Sequence, residues 1–195
     1  MEQSTTFREK FSLKSWKTRD ILVLVMISLV LALITFAGAW VRTSLEAAIG
    51  VFGNRIVSPL IIVIVYTGAY IVRRPLAAII SALVMGLVSS PFLPAGLATI
   101  FGYLIGGILV EISFAIGGYR NYSLPFMLAC GLVYNLIGIG LIWVPFRLGA
   151  LSPLALGGVV IITVVTGLIG GWLTKAIGDA VMQSGVMTQN AELTS

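Results

Sequence analysis

The 195-residue sequence has no histidine, a single cysteine and few charges of either sign, with 12 Lys+Arg and 7 Asp+Glu making up about 10% of the chain. Without histidine it lacks the commonest general base and the commonest metal ligand. Cys130 alone can form neither an intrachain disulfide nor a thiolate metal site. In its apolar run it reads as a small buried hydrophobe. A soluble domain carries roughly a quarter charged residues. Here 58% of residues are hydrophobic and the mean hydropathy is +1.08, too little polar surface to cover a water-soluble globule. A soluble enzyme, a nucleic-acid-binding domain and a disordered chain are excluded. The pI near 9.7 does not favour nucleic acid, because the basic residues sit in short clusters between apolar runs and orient membrane helices. An intramembrane enzyme needs a base, a metal or a carboxylate cluster, yet Asp20 and Asp179 stand alone. No Walker lysine follows a glycine-rich loop, so the chain is not expected to bind ATP. It reads as an integral membrane protein.

A bilayer core of about 30 Å needs about 20 helical residues. Six apolar stretches approach that length: Ile21–Val41, Ile56–Val72, Leu76–Ser90, Gly96–Gly117, Tyr122–Val144 and Leu154–Lys175. The second and third are short, and Arg73-Arg74-Pro75 divides them. Proline favours a sharp helix start there, and two arginines need an interface. The expected fold is an all-α six-transmembrane-helix bundle. Residues 1–19 form a cytoplasmic segment, 20–186 the membrane domain and 187–195 a flexible tail. Ala37-Gly38-Ala39 resembles a cleavage site, but the first run is long for a signal peptide and reads as a retained span.

Orientation follows from the basic residues. With the N-terminus inside, Arg8, Lys10, Lys14, Lys17, Arg19, Arg73, Arg74, Arg120 and Lys175 face the cytoplasm, nine against the three outer residues Arg42, Arg55 and Arg147. The bias predicts both termini cytoplasmic.

Small residues recur at four-residue spacing: Ser28 with Ala32, Ala78 with Ala82 and Gly86, Gly102 with Gly106, Gly167 with Gly171. Such spacing lets helix backbones approach closely in lipid. Internal packing accounts for most of these pairs, while the first helix has a face left over for a partner. Glu111 is the carboxylate lying well inside a span, in its cytoplasmic third, and an ion pair with Arg73, Arg74 or Arg120 is favoured over a ligand contact. Toward the outer halves lie Trp40, Tyr103, Asn135 and Trp143, aromatic surfaces and an amide of the kind that hold a small flat polar ligand. Interfacial anchoring is the competing reading for each tryptophan. Asn135 divides evenly between interhelical packing and ligand contact. Arg55 and Arg147 either snorkel or line the mouth of a site for a polar or anionic molecule.

Four stretches carry a resemblance to a known family. They are Ser15-Trp16-Lys17; Ala69-Tyr70 with Arg73-Arg74-Pro75; Tyr122-Ser123-Leu124-Pro125 with Leu128 and Gly131; and Lys175-Ala176 through Asp179 to Gly185-Val186. In order and spacing the chain resembles the S components of energy-coupling factor (ECF) transporters, and among them the YkoE-type members associated with thiamin and its hydroxymethylpyrimidine precursor. The resemblance implies capture of a vitamin-like small molecule at the outer face of a prokaryotic plasma membrane. It implies a transmembrane coupling subunit and ABC ATPases as partners, no cofactor beyond the ATP those partners use, and no nucleic acid. It places Ser28 and Ala32 against the coupling subunit and gives Glu111 a family counterpart. It also implies carboxylates near the positions held by Arg55, Ala82 and Ser89. Without them a neutral or anionic vitamin-like ligand stands beside thiamin, and a self-sufficient secondary transporter using Glu111 is the remaining alternative.

Overall fold

The computed structural model describes residues 16–93 and 96–184. The tail 187–195 and most of segment 1–19 lie outside them. Among the described residues there are seven α-helices and no strands: α1 Thr18–Ile49, α2 Val51–Ile56, α3 Ser58–Val72, α4 Ala77–Ser89, α5 Ala98–Ile116, α6 Leu124–Ile142 and α7 Pro153–Gln183. A 3₁₀ turn, Leu148–Ala150, joins the last two. Helices α2 and α3 read as one 22-residue apolar segment, Val51–Val72. Five segments are thus long and apolar enough to cross a bilayer, and α4, with 13 residues, is the shorter sixth.

The interiors of all six expected spans are helical, and the ends of three move: the second begins at Val51, not Ile56. The first helix does not stop near Val41 but runs 32 residues to Ile49. Arg42 and Glu46 pair one turn apart at 3.0 Å and Ala47-Ala48 favour helix, so the polar stretch continues it. Gly50, at φ +60°, ends it. The chain then folds back so tightly that a Cβ on Gly53 would lie 2.3 Å from the Leu45 carbonyl oxygen. That contact makes α2 a short clamp on the last turn of α1. The last helix runs past Lys175 to Gln183, because Lys175 and Asp179 pair at 2.8 Å one turn apart.

Helix α3 is the axis of the bundle. In its segment 78% of the most apolar stretch is buried, against 22–33% for the other four long helices. A helix apolar all round has no polar face to expose and takes the centre. Helices α1, α4 and α7 pack on it, α5 packs on α4, and α6 packs on α7. Glycines set the closest approaches. A Cβ on Gly131 of α6 would meet the Gly167 carbonyl at 2.4 Å, and one on Gly171 of α7 would meet the Met127 carbonyl at 2.3 Å. Helices α5 and α6, by contrast, barely touch. The gap between them positions the site.

Candidate functional site

A cleft of about 270 Å³ opens at the end of the bundle where α1 turns into α2. Its floor is the α2–α3 break, Asn54, Arg55, Ser58 and Ile61; α5 contributes Gly102, Ile105, Gly106 and Leu109. Tyr134, Asn135, Gly138 and Leu141 line the α6 side, and Arg42 with Glu46 stand at the end of α1. One wall is therefore apolar and the floor polar.

The polar floor is a connected chain of side chains. Arg42 pairs with Glu46, whose Oε1 accepts from Asn54 Nδ2. Asn54 Oδ1 accepts from Arg55 Nε and Nη2, and Arg55 Nη1 donates to Asn135 Oδ1 at 3.4 Å. The Asn135 amide donates to Ser58 Oγ at 3.0 Å, to the Thr163 carbonyl at 2.8 Å and to Thr166 Oγ1 at 2.9 Å. Asn54, Arg55, Ser58 and Asn135 are all buried. Buried polar groups need such partners, and a satisfied network fixes their orientation. The Ser58-Pro59 step lets α2 end and α3 restart, since proline lacks the N–H an unbroken helix would need. That restart turns Asn54, Arg55 and Ser58 together toward α6.

Of the residues expected at a ligand site, Arg55 and Asn135 thus meet in the cleft. The other four lie elsewhere. Trp40 is exposed on the lipid-facing side of α1 beside Phe36, and Trp143 is half exposed near Gly149. Tyr103 packs against Leu31, Ala32, Ile64 and Met85. Arg147 is exposed at a left-handed turn, φ +48°. Glu46, Asn54 and Tyr134 line the cleft without having been singled out in the sequence. The Arg42-x-x-x-Glu46 pair and the Gly50/Gly53 turn were the signals available.

Glu111 sits at the opposite end and does a different job. Its carboxylate is buried and accepts from the backbone N–H groups of Leu76 (2.6 Å) and Ala78 (3.2 Å) and from the Tyr119 hydroxyl. A carboxylate at a helix N-terminus satisfies orphan donors and matches the helix dipole. It holds the α3–α4 turn, where Arg73 and Leu76 both take left-handed φ values of 51° and 68°. Two of the three arginines expected to pair with it, Arg73 and Arg74, are engaged elsewhere. Arg74 reaches Asp20 at 3.3 Å, and Arg73 lies over the Tyr122 ring at 4.2 Å. Nearby, Tyr70 donates to Asp179 and locks α3 to α7.

Ser28 and Ala32 also point inward. Ser28 is fully buried, its hydroxyl 2.8 Å from that of Ser81, and Ala32 is 2% exposed. The pair joins α1 to α4, where Gly68 leaves room.

Residues 19–137 match the family described as the permease component of an ABC-type cobalt transport system. The protein YkoE of Bacillus subtilis (strain 168), whose name refers to HMP/thiamine permeation, is 26% identical over 184 residues, 90% of this chain and 89% of that one. A crystal structure of an S component of an ECF transporter superposes with a TM-score of 0.80 at 25% identity, covering 91% of each chain. The fold is that of an ECF transporter S component, a multi-pass membrane protein. The chain belongs to the ABC-type cobalt permease-component family and is an S component of the YkoE type. Cobalt does not fit the cleft, whose charged groups are two guanidiniums and one carboxylate. Guanidinium has no lone pair to offer a metal. No group of three or more His, Cys, Asp or Glu able to hold a metal occurs among the described residues.

Proposed function

We propose that this chain is the substrate-capture subunit of an ECF-type importer, and that it binds a vitamin-like heterocycle of the hydroxymethylpyrimidine/thiamin class in the α5–α6 cleft. The observation that carries this reading is the cleft itself, with its buried floor of amide, hydroxyl and guanidinium groups beneath an apolar wall. A few fixed polar groups against apolar surface orient a small flat ligand. The likeness to YkoE, named for HMP/thiamine permeation, supports the compound class. In this reading the cleft faces outward, both termini are cytoplasmic, and the membrane is the plasma membrane of a prokaryote. A coupling subunit and ABC ATPases complete the importer, and ATP is used by those ATPases alone.

None of the four tryptophans lines the cleft, so calorimetry is a better readout than tryptophan fluorescence. The purified full-length chain should take up one equivalent of a ligand of this class with saturable heat. Gly102 lines the cleft and a Cβ on it would meet nothing within 4 Å, so Gly102→Phe is expected to fill the cleft with little disturbance of the helices. It should abolish the heat while leaving the thermal midpoint within a few degrees of wild type. Unchanged binding by Gly102→Phe would remove the ligand from this cleft.

A further inference from the structure

Arg55 is 6% exposed, and among the described residues no carboxylate lies within ion-pair distance of it. The carboxylate in the cleft, Glu46, is already engaged by Arg42. Arg55 is held by two neutral amides, through Nε and Nη2 to Asn54 and through Nη1 to Asn135. A guanidinium offers five N–H donors, so these contacts leave one on each terminal nitrogen. A buried charge is costly unless an opposite charge or strong acceptor meets it, more so at membrane depth. The cleft as a whole carries two positive groups and one negative. It is an unbalanced site, short of one negative charge.

Size adds a second, independent restriction. At about 270 Å³ the cleft lies at the small end of ligand sites, which run from roughly 300 to 1,000 Å³. A cleft of this size favours one aromatic ring with a short substituent over a larger ligand.

We propose that the cleft selects a one-ring ligand carrying an anionic oxygen group, a phosphoryl or carboxylate, which pairs with Arg55, and that it rejects a permanently cationic ring. This rests on the capture reading above and narrows it. Within the hydroxymethylpyrimidine/thiamin class it favours the phosphorylated pyrimidine over the uncharged one, and both over the thiazolium cation. The acceptor's oxygens would take the two free N–H groups of Arg55 in the paired geometry that guanidinium and oxyanions share. Asn54 and Asn135 are positioning residues, since they fix the plane of the guanidinium.

The test is calorimetric titration of the detergent-purified full-length chain at neutral pH with three probes: hydroxymethylpyrimidine, its phosphate monoester, and thiamin. A charge-assisted hydrogen bond is worth about 1.5–3 kcal/mol, so the phosphate ester should bind about 10- to 100-fold more tightly than the alcohol. Thiamin should bind more weakly than either. Arg55→Gln should weaken binding of the phosphate ester far more than that of the alcohol, so that the difference between the two disappears. Asn135→Asp, which sets a carboxylate beside Arg55, should likewise cancel the preference if the first variant fails to fold. Thiamin binding as tightly as the phosphate ester would overturn the proposal and leave the capture reading standing. So would a preference that survives both variants. If none of the three binds, the capture reading falls and takes this inference with it.

Discussion

At the scale of single residues, the side chains that matter most are polar groups with a full or an empty set of partners. Glu111 has three donors converging on its carboxylate at the α3–α4 turn. Glu111→Ala should therefore lower unfolding free energy by about 1–3 kcal/mol, read by thermal denaturation in detergent. Glu111→Gln keeps one acceptor and should still support uptake; loss of uptake by a stably folded Glu111→Gln would point to proton coupling instead. Tyr122 is the opposite case, a buried hydroxyl with no hydrogen-bond partner among the described residues. Tyr122→Phe should be neutral or stabilising by up to about 1 kcal/mol, since no bond is lost and a desolvated polar group is removed. Burial pushes the Tyr122 hydroxyl from 10.0 up to about 12, against the pull of Arg73. Burial, and then the bond to Glu111, raises that of Tyr119 as well. A raised phenol favours the protonated folded state, so its contribution is complete below pH 10 and is lost as pH climbs through the folded value. Stability should fall from about pH 10 to about 12, and less steeply in Tyr122→Phe. The sequence made some of these roles visible. An amide inside an apolar run, Asn135, and an arginine at the start of one, Arg55, stand out because lipid and protein interior both penalise them. Which carbonyl, hydroxyl or amide would answer them was not visible. Arg55 and Ser58 reach Asn135 across the α2–α3 break, and Thr166 reaches it where α7 packs on α6.

At the scale of helices, spacing of small residues told where backbones meet but not which neighbour they meet. Gly167 and Gly171 do face another helix, α6, as their spacing indicated. Ser28 and Ala32 have the same spacing and face α4 inside the chain. Lipid is as apolar as a packed helix face, so hydrophobic periodicity does not separate the two sides of α1. Leucine at Ser28 or Ala32 must displace Ser81 or Met85 and its neighbours. Either substitution is expected to destabilise the chain by about 1–3 kcal/mol rather than to block coupling selectively. Two glycines on α7 make the contrast sharper. Gly171→Ala would drive a Cβ to 2.3 Å from a backbone oxygen, whereas Gly157 has nothing within 4 Å. The first should lower the thermal midpoint strongly. The second should raise stability by about 0.5–1 kcal/mol, the ordinary gain of alanine over glycine in a helix. Equal effects would mean that α6 and α7 do not touch where they are drawn together.

At the scale of the molecule, two ends with different jobs are joined by α3. The cleft occupies one end, and the ionic and aromatic lock of Asp20, Tyr70, Arg73, Arg74, Glu111 and Asp179 occupies the other. The charge bias predicts which end is outside, and labelling can decide it. Ala150 and Ser184 are exposed at opposite ends, and the native Cys130 is buried. In a Cys130→Ala background, Ala150→Cys should react with a membrane-impermeant maleimide in intact cells, and Ser184→Cys only after permeabilisation. The reverse pattern would turn the cleft to the cytoplasm. The short fourth helix has a consequence for the surrounding lipid. Its 13 residues span about 20 Å at 1.5 Å each, while a typical hydrocarbon layer is about 30 Å thick. The 32 residues of α1 reach about 48 Å. The apolar part of α1, Ile21–Val41, already matches that layer before its polar end begins at Arg42, so the bilayer must thin beside α4, at fractions of a kcal/mol per Å. Acyl-chain length therefore acts on this protein as a mechanical variable, setting how steeply the bundle leans.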